Sequence, residues 1–251
     1  MESLKKKRAC LLILIVVITT VLAARPSDGS KEVQAKKDTR TQKHLENYAG
    51  PIVDYDSDNK IASLSRSPDI RKTKSRLYNN RAPQPLGDMA SEGYDLHTHW
   101  NVGLPPLPIT QSQIIAIGEV AGAEAFLSED RTGVYSEFSI KIIDILKNKT
   151  AFPLTVGGLI VTGREGGVVR LKSGNLFPVR INDQGMPRVD RRYLFFLKYD
   201  SDAQTYHIVT AYELKSEKVI PLDGGDQFNT YHGHDVRAFL NLVQETVAQE
   251  R

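Results

Sequence analysis

The hydrophobic spacing of this chain predicts a mainly β protein: a small barrel or sandwich with one amphipathic helix at its C-terminal side. Three observations carry that expectation. In Val134, Ser136, Phe138, Ile140, Ile142 and Leu146 the even positions are mostly apolar, while Tyr135, Glu137, Ser139 and Lys141 between them suit water. Successive strand side chains point to opposite faces, so this period of two marks a half-buried strand. Further short apolar runs follow as far as Pro221, separated by glycine-, asparagine- and aspartate-bearing turns. Last, Val236, Phe239, Leu240, Val243 and Val247 recur at helical spacing and form one apolar stripe.

Taken in order, the chain opens with a basic segment, Met1–Arg8, and an uncharged apolar run, Ala9–Ala24. The run is shorter than the ~20 residues that span a bilayer comfortably as a helix. Small residues at Val21-Leu22-Ala23 suit a signal peptidase, so a cleaved secretory signal is favoured over a retained N-terminal anchor. Either outcome puts the bulk of the chain outside the cytoplasm: secreted, periplasmic or N-terminally membrane-anchored. The single cysteine, Cys10, lies inside this run, which excludes disulfides and thiol chemistry from a mature protein. Residues 25–108 read as a disordered basic linker. Between Arg25 and Arg81 there are 13 Lys/Arg against 8 Asp/Glu, apolar residues are sparse, and no period persists.

The folded domain is expected over residues 109–223. Ile114–Glu124 and Val134–Asn148 form a hairpin around the polar turn 128–133, with Gly118 and Gly122 marking bulges or bends. A strand at Leu159–Arg164 leads to a second hairpin, Val168–Leu171 with Leu176–Arg180, around Lys172–Asn175. Arg192–Tyr199 is aromatic-rich and reads as a central strand, Tyr206–Leu214 as its neighbour, and Lys218–Pro221 as an edge strand. Residues 224–251 hold the C-terminal helix, with His234 or Asp235 as its cap.

Ile114–Val120, Val134–Asn148 with its Leu146-Lys147-Asn148 ending, the Gly157-Gly158 turn and Arg192–Lys198 together resemble the short OB-like barrels of the tissue-inhibitor-of-metalloprotease and netrin-like type. They are also similar to uncharacterised bacterial exported proteins of the same strand pattern. The resemblance implies an OB-like barrel. The cysteines that carry protease inhibition in the animal members are absent, so that activity does not transfer.

Two groups of residues stand out as candidate sites. His97 and His99, and His232 and His234, form two His-x-His units. Each presents two imidazoles to one side of an extended segment, the donor set of a zinc site if the two units converge. Arg164, Arg170, Lys172, Arg180 and Arg192 cluster on the middle strands among Phe177, Tyr193 and Tyr199, which suggests a basic face for an anionic ligand. Export argues for an envelope polymer or another envelope protein as partner and against nucleic acid. Asp54-Tyr-Asp-Ser-Asp-Asn59 opens like a calcium loop but lacks the glycine and glutamate such a loop needs at its sixth and twelfth positions. There is no nucleophile elbow, phosphate loop or dinucleotide fingerprint, and nothing in the sequence places two of Glu119, Glu124, Glu137 and Asp144 across one cleft. The expected role is a non-catalytic exported binding or structural domain without a cofactor. The alternative is a zinc-binding protein built on the paired histidines, with hydrolysis as the chemistry such a site would support.

Overall fold

The computed structural model describes residues 50–57, 68–89, 93–98 and 100–250. The basic segment, the apolar run 9–24 and His99 lie outside them. Among the described residues no helix is long and apolar enough to cross a membrane.

The protein is mainly β. Its strands are β1 (Ile52–Asp54), β2 (Tyr94–Leu96), β3 (Ile114–Leu127), β4 (Val134–Asn148), β5 (Leu159–Glu165), β6 (Gly167–Arg170), β7 (Leu176–Ile181), β8 (Arg192–Asp200), β9 (Thr205–Lys215) and β10 (Lys218–Pro221). Among the described residues the α-helices are α1 (Pro68–Arg76), α2 (Asp226–Asn229) and α3 (Val236–Gln249). The larger sheet runs β10-β9-β5-β4-β3-β8, and a further β8–β9 pairing closes it on itself. Five strands therefore form a barrel, β3-β4-β5-β9-β8 and back to β3, with β5 and β9 parallel and the other pairs antiparallel. The fold is thus a small barrel, within the barrel-or-sandwich class expected from the sequence.

Alternation along these strands sorts side chains into two apolar layers. Ile114, Ala116, Val120, Phe138, Ile140, Tyr193, Phe195, Leu197 and Ile208 fill the barrel. Ile115, Ile117, Leu194, Phe196 and Tyr212 point outward beneath Phe239, Val243 and Val247 of α3. The C-terminal helix thus covers an outer face of the barrel. Asp235 caps it, its Oδ1 accepting the Ala238 N–H at 2.9 Å. Register shifts fall between Ile115 and Ala116, between Ile117 and Gly118 and between Val120 and Gly122, the last two at the glycines that suggested them. At Gly118 a Cβ would lie 2.4 Å from Ile140 Cγ2, so only glycine lets β3 pass that close to β4.

The disordered-linker expectation for residues 25–108 needs correcting over its described part. β1 adds in parallel to β6, β2 adds in parallel to β7, and the result is a second sheet in the order β1-β6-β7-β2. Val53 and Leu86 from this arm join Leu127, Val134, Val169, Phe177 and Val179 in a third apolar cluster. Between β1 and β2, α1 lies on the barrel wall. The folded domain therefore begins well before Ile109. The arm escaped the sequence reading because its two strands are three residues long and its helix buries charge rather than hydrocarbon.

Candidate binding face

β4 and β5 carry an outer face flanked by the loops 128–133 and 201–204. The outer side chains follow from the register. Glu124 of β3 stands opposite Glu137 of β4, Glu137 opposite Gly163 of β5, and Gly163 opposite His207 of β9. One row of the face is therefore Glu124, Glu137, Gly163 and His207. The adjacent row holds Phe126, Tyr135 and Glu165. It is an acidic surface with two aromatic rings.

α1 is seated on this surface. Pro68 opens the helix, where the missing N–H costs nothing, and Lys74 and Arg76 in the last turn suit its negative end. The chain leaves it through i→i−3 turns at Leu77, Tyr78 and Asn79 and a positive-φ Asn80. Arg71, Lys74, Ser75 and Tyr78 are buried, at the i, i+3, i+4, i+7 spacing of one helical face. The Lys74 ammonium, 1% exposed, lies 2.7 Å from Glu137 Oε1, which is 6% exposed. Lys74 also donates to Thr205 Oγ1 at 3.3 Å and sits 5.7 Å from the centre of the Tyr135 ring. The Arg71 guanidinium is 4.9 Å from the Phe126 ring centre, Phe126 stacks on Tyr135 at 5.4 Å, and Tyr135 on Tyr78 at 4.6 Å. Arg76 and Lys72 pair with Glu129 in the 128–133 loop, and Arg81 pairs with Glu165 at 2.6 Å. Burial, reinforced by the neighbouring carboxylates, pushes the Tyr78 and Tyr135 hydroxyls far above their ordinary pKa, so both stay neutral.

Gly163 is the floor of the lysine slot. A Cβ there would meet Lys74 Nζ at 2.9 Å and Cε at 3.1 Å. Gly163→Ala is expected to push the ammonium off Glu137 and weaken docking of α1 by about 1–3 kcal/mol, the usual cost of overpacking. Faster amide exchange confined to α1, with the barrel strands unchanged, is the signature to measure.

His207 lies on the other side of the slot, its Nε2 3.2 Å from Asp200 Oδ2. Burial, together with Lys74 and Lys198, lowers its pKa; Asp200 opposes the shift. A histidine with a depressed folded pKa contributes full stability above its ordinary value and loses it as pH falls, because the free state takes up the proton first. Protection of α1 amides, corrected for intrinsic exchange rates, is therefore expected to fall between pH 7.5 and 5.5, and His207→Gln should flatten that response. Glu165 has the opposite sign: burial raises its pKa against Arg81, so its contribution is lost as pH rises through a value above the ordinary carboxylate range.

The five basic residues expected to form an anion-binding face are each matched to a carboxylate. Arg170 pairs with Asp54 at 2.9 Å, Lys172 with Asp56 at 3.2 Å, Arg180 with Asp95 at 2.6 Å, and Arg192 with Glu119 at 3.9 Å. Three of those partners come from the arm. Asp54 and Asp56, which suggested a calcium loop, thus have cation partners, and Asp58 and Asn59 lie outside the described residues. Arg164 is not on a surface at all: it is buried, its Nη2 2.7 Å from the buried Asp223 and its Nη1 donating to the Gly185 carbonyl at 2.5 Å. The histidine units are less gathered. His97 follows β2, while His232 and His234 lie exposed in the turn before α3, with the His234 ring edge-on to Tyr231 at 5.5 Å. Among the described residues no group of three or more His, Cys, Asp or Glu is placed to hold a metal.

Sequence reading missed Glu124, Glu137, Gly163 and Lys74 as a set. The hairpin register alone pairs the two glutamates, and the helical spacing of Arg71, Lys74, Ser75 and Tyr78 was the available signal for α1. Comparison with family models, with curated proteins and with solved structures finds no match for this chain.

Proposed function

We propose that this protein is a non-catalytic binding domain that works outside the cytoplasm and holds its ligand on the outer face of β4 and β5. The basic Met1–Arg8 segment followed by the apolar run 9–24 supports export. The barrel lumen is filled by side chains with almost no exposure, which leaves outer surfaces for recognition. The observation that carries the reading is the docking of a basic helix on that face through the Lys74–Glu137 pair. Of the two partner classes expected from the sequence, the carboxylates of this face favour an envelope protein over an anionic polymer, because the basic residues already face carboxylates.

A photo-crosslinking residue at Val161, half-exposed in the row next to Gly163, tests this in cells. The expected result is a discrete protein adduct in the extracytoplasmic fraction, absent when the same group replaces Leu242 on α3. Equal adducts at both positions would remove the face from the reading. Recovery of the chain in the cytosol would remove the location.

A further inference from the structure

Building on that binding reading, we propose that α1 is a resident, displaceable occupant, and that the face recognises a cationic helix of a partner protein with the spacing Arg-x-x-Lys-Ser-x-x-Tyr. The polarity of α1 is the first reason. With the turn that follows it, its buried side is Arg71, Lys74, Ser75 and Tyr78, while Leu77 in that turn is 40% exposed and Ile70 only half-buried. A helix that served to complete a core would turn these the other way. Ion pairs buried in this manner add little net stability against their desolvation but discriminate strongly among partners.

The second reason is that the cores do not need it. Neither the barrel-filling cluster nor the cluster beneath α3 contains a residue of the 68–81 segment, and among the apolar clusters Tyr78 joins only a small satellite with Phe126 and Tyr135, the nearby backbone of Asn80 and Arg81 being hydrogen-bonded to Asp130 and Thr132 of the 128–133 loop. Removing α1 therefore uncovers two rings and a set of carboxylates rather than aliphatic core. The arm keeps its own attachments through β1 and β2.

Unused capacity on the face is the third. Arg71 Nη1, Glu124 Oε2 and Ser139 Oγ are buried without a hydrogen-bond partner among the described residues. A helix offering another donor beside Glu124 would satisfy what α1 leaves open. The slot itself suits lysine, with Glu137 and Thr205 as acceptors and a glycine floor whose missing Cβ leaves the space taken by Lys74 Nζ and Cε. A tethered helix also competes at an effective concentration in the millimolar range, so a partner helix must bind tightly or find the arm loosened.

Fluorescence anisotropy of a labelled peptide of residues 68–81 against the full chain tests this directly. The Lys74→Ala chain, whose own helix has lost its buried ion pair, is expected to bind the peptide at least about 100-fold more tightly than the wild-type chain. Lys74→Ala/Glu137→Ala should lose that gain, and a scrambled peptide should bind none of the three. A folded Lys74→Ala chain that ignores the peptide overturns the proposal. So does sedimentation showing that this chain instead pairs through exchanged arms, which would make the occupant a second copy. If Lys74→Ala does not fold, amide exchange of the wild-type chain decides: α1 opening well below the global unfolding free energy supports displacement, and opening only with the whole barrel ends it. Loss of peptide binding with a retained Val161 adduct removes this inference alone, whereas loss of the adduct with retained peptide binding removes the envelope-partner reading.

Discussion

Lys74→Ala should release α1 from the barrel and leave Glu137 buried without its cation. Truncating one partner of a buried pair costs about 3–5 kcal/mol, far more than the pair's net contribution, because the remaining charge keeps its desolvation penalty. Here the cost has an upper bound. Once docking of the arm is exhausted, the helix detaches and Glu137 regains water, so any excess appears as helix release rather than global unfolding. Urea unfolding and amide exchange measured together should show α1 exchanging freely while β3, β4 and β8 retain most of their protection. Glu137→Gln alone should destabilise docking in the same direction, since the ammonium then faces a neutral amide. Replacing both, as Lys74→Met/Glu137→Leu, should recover much of the stability, as apolar pairs of similar volume do. A Lys74→Ala chain with wild-type protection at α1 would mean that the aromatic stack and the pairs to Glu129 and Glu165 hold the helix without Lys74.

Asp223→Ala should instead destabilise the whole domain. Asp223 Oδ2 accepts from Arg164 Nη2 at 2.7 Å and from Thr210 Oγ1 at 2.8 Å, and Oδ1 accepts the Gly185 N–H at 2.9 Å. The carboxylate joins β5, β9 and the 182–191 loop at a point fully shielded from water. Its loss leaves the Arg164 guanidinium with the Gly185 carbonyl and the Trp100 ring, 5.4 Å away. The same desolvation reasoning sets the cost at about 3–5 kcal/mol, and this time no segment can detach to relieve it. Trp100 is the only tryptophan, donates to the Asn182 carbonyl at 2.8 Å and stacks near Phe228 at 6.2 Å, so its emission reports the same locus. A shifted urea midpoint with a red-shifted native emission is the expected pair of readings. A midpoint within about 0.5 kcal/mol of wild type, the range of ordinary surface changes, would mean that water reaches Arg164.

The contrast between these two pairs also bears on what the residues announced in advance. Val134–Asn148, Arg192–Tyr199 and the Val236–Val247 stripe were legible because each element carries its own pattern, and burial on one side is written every second or every third to fourth residue. Gly118 and Gly122 marked the bulges for the same local reason. α1 had the same legibility in spacing, at 71, 74, 75 and 78, but the residues filling those positions were Arg, Lys, Ser and Tyr. A search for hydrocarbon periodicity passes over them. Arg170 and Asp54 are 116 positions apart, and Lys74 and Thr205 are 131 apart. No window along the chain brings such partners together.

By itself the amino-acid order determined a mainly β domain, its central hairpin, its glycine bends and its closing helix, because apolar burial depends on which side of an element a residue faces and that is set within a few neighbours. Tertiary structure alone decided which charges are matched, which carboxylates share the β4–β5 face and that a basic helix covers them. The energy of a charge depends on its distance from a partner and on the water removed around both, and the fold supplies both quantities only after distant segments have met.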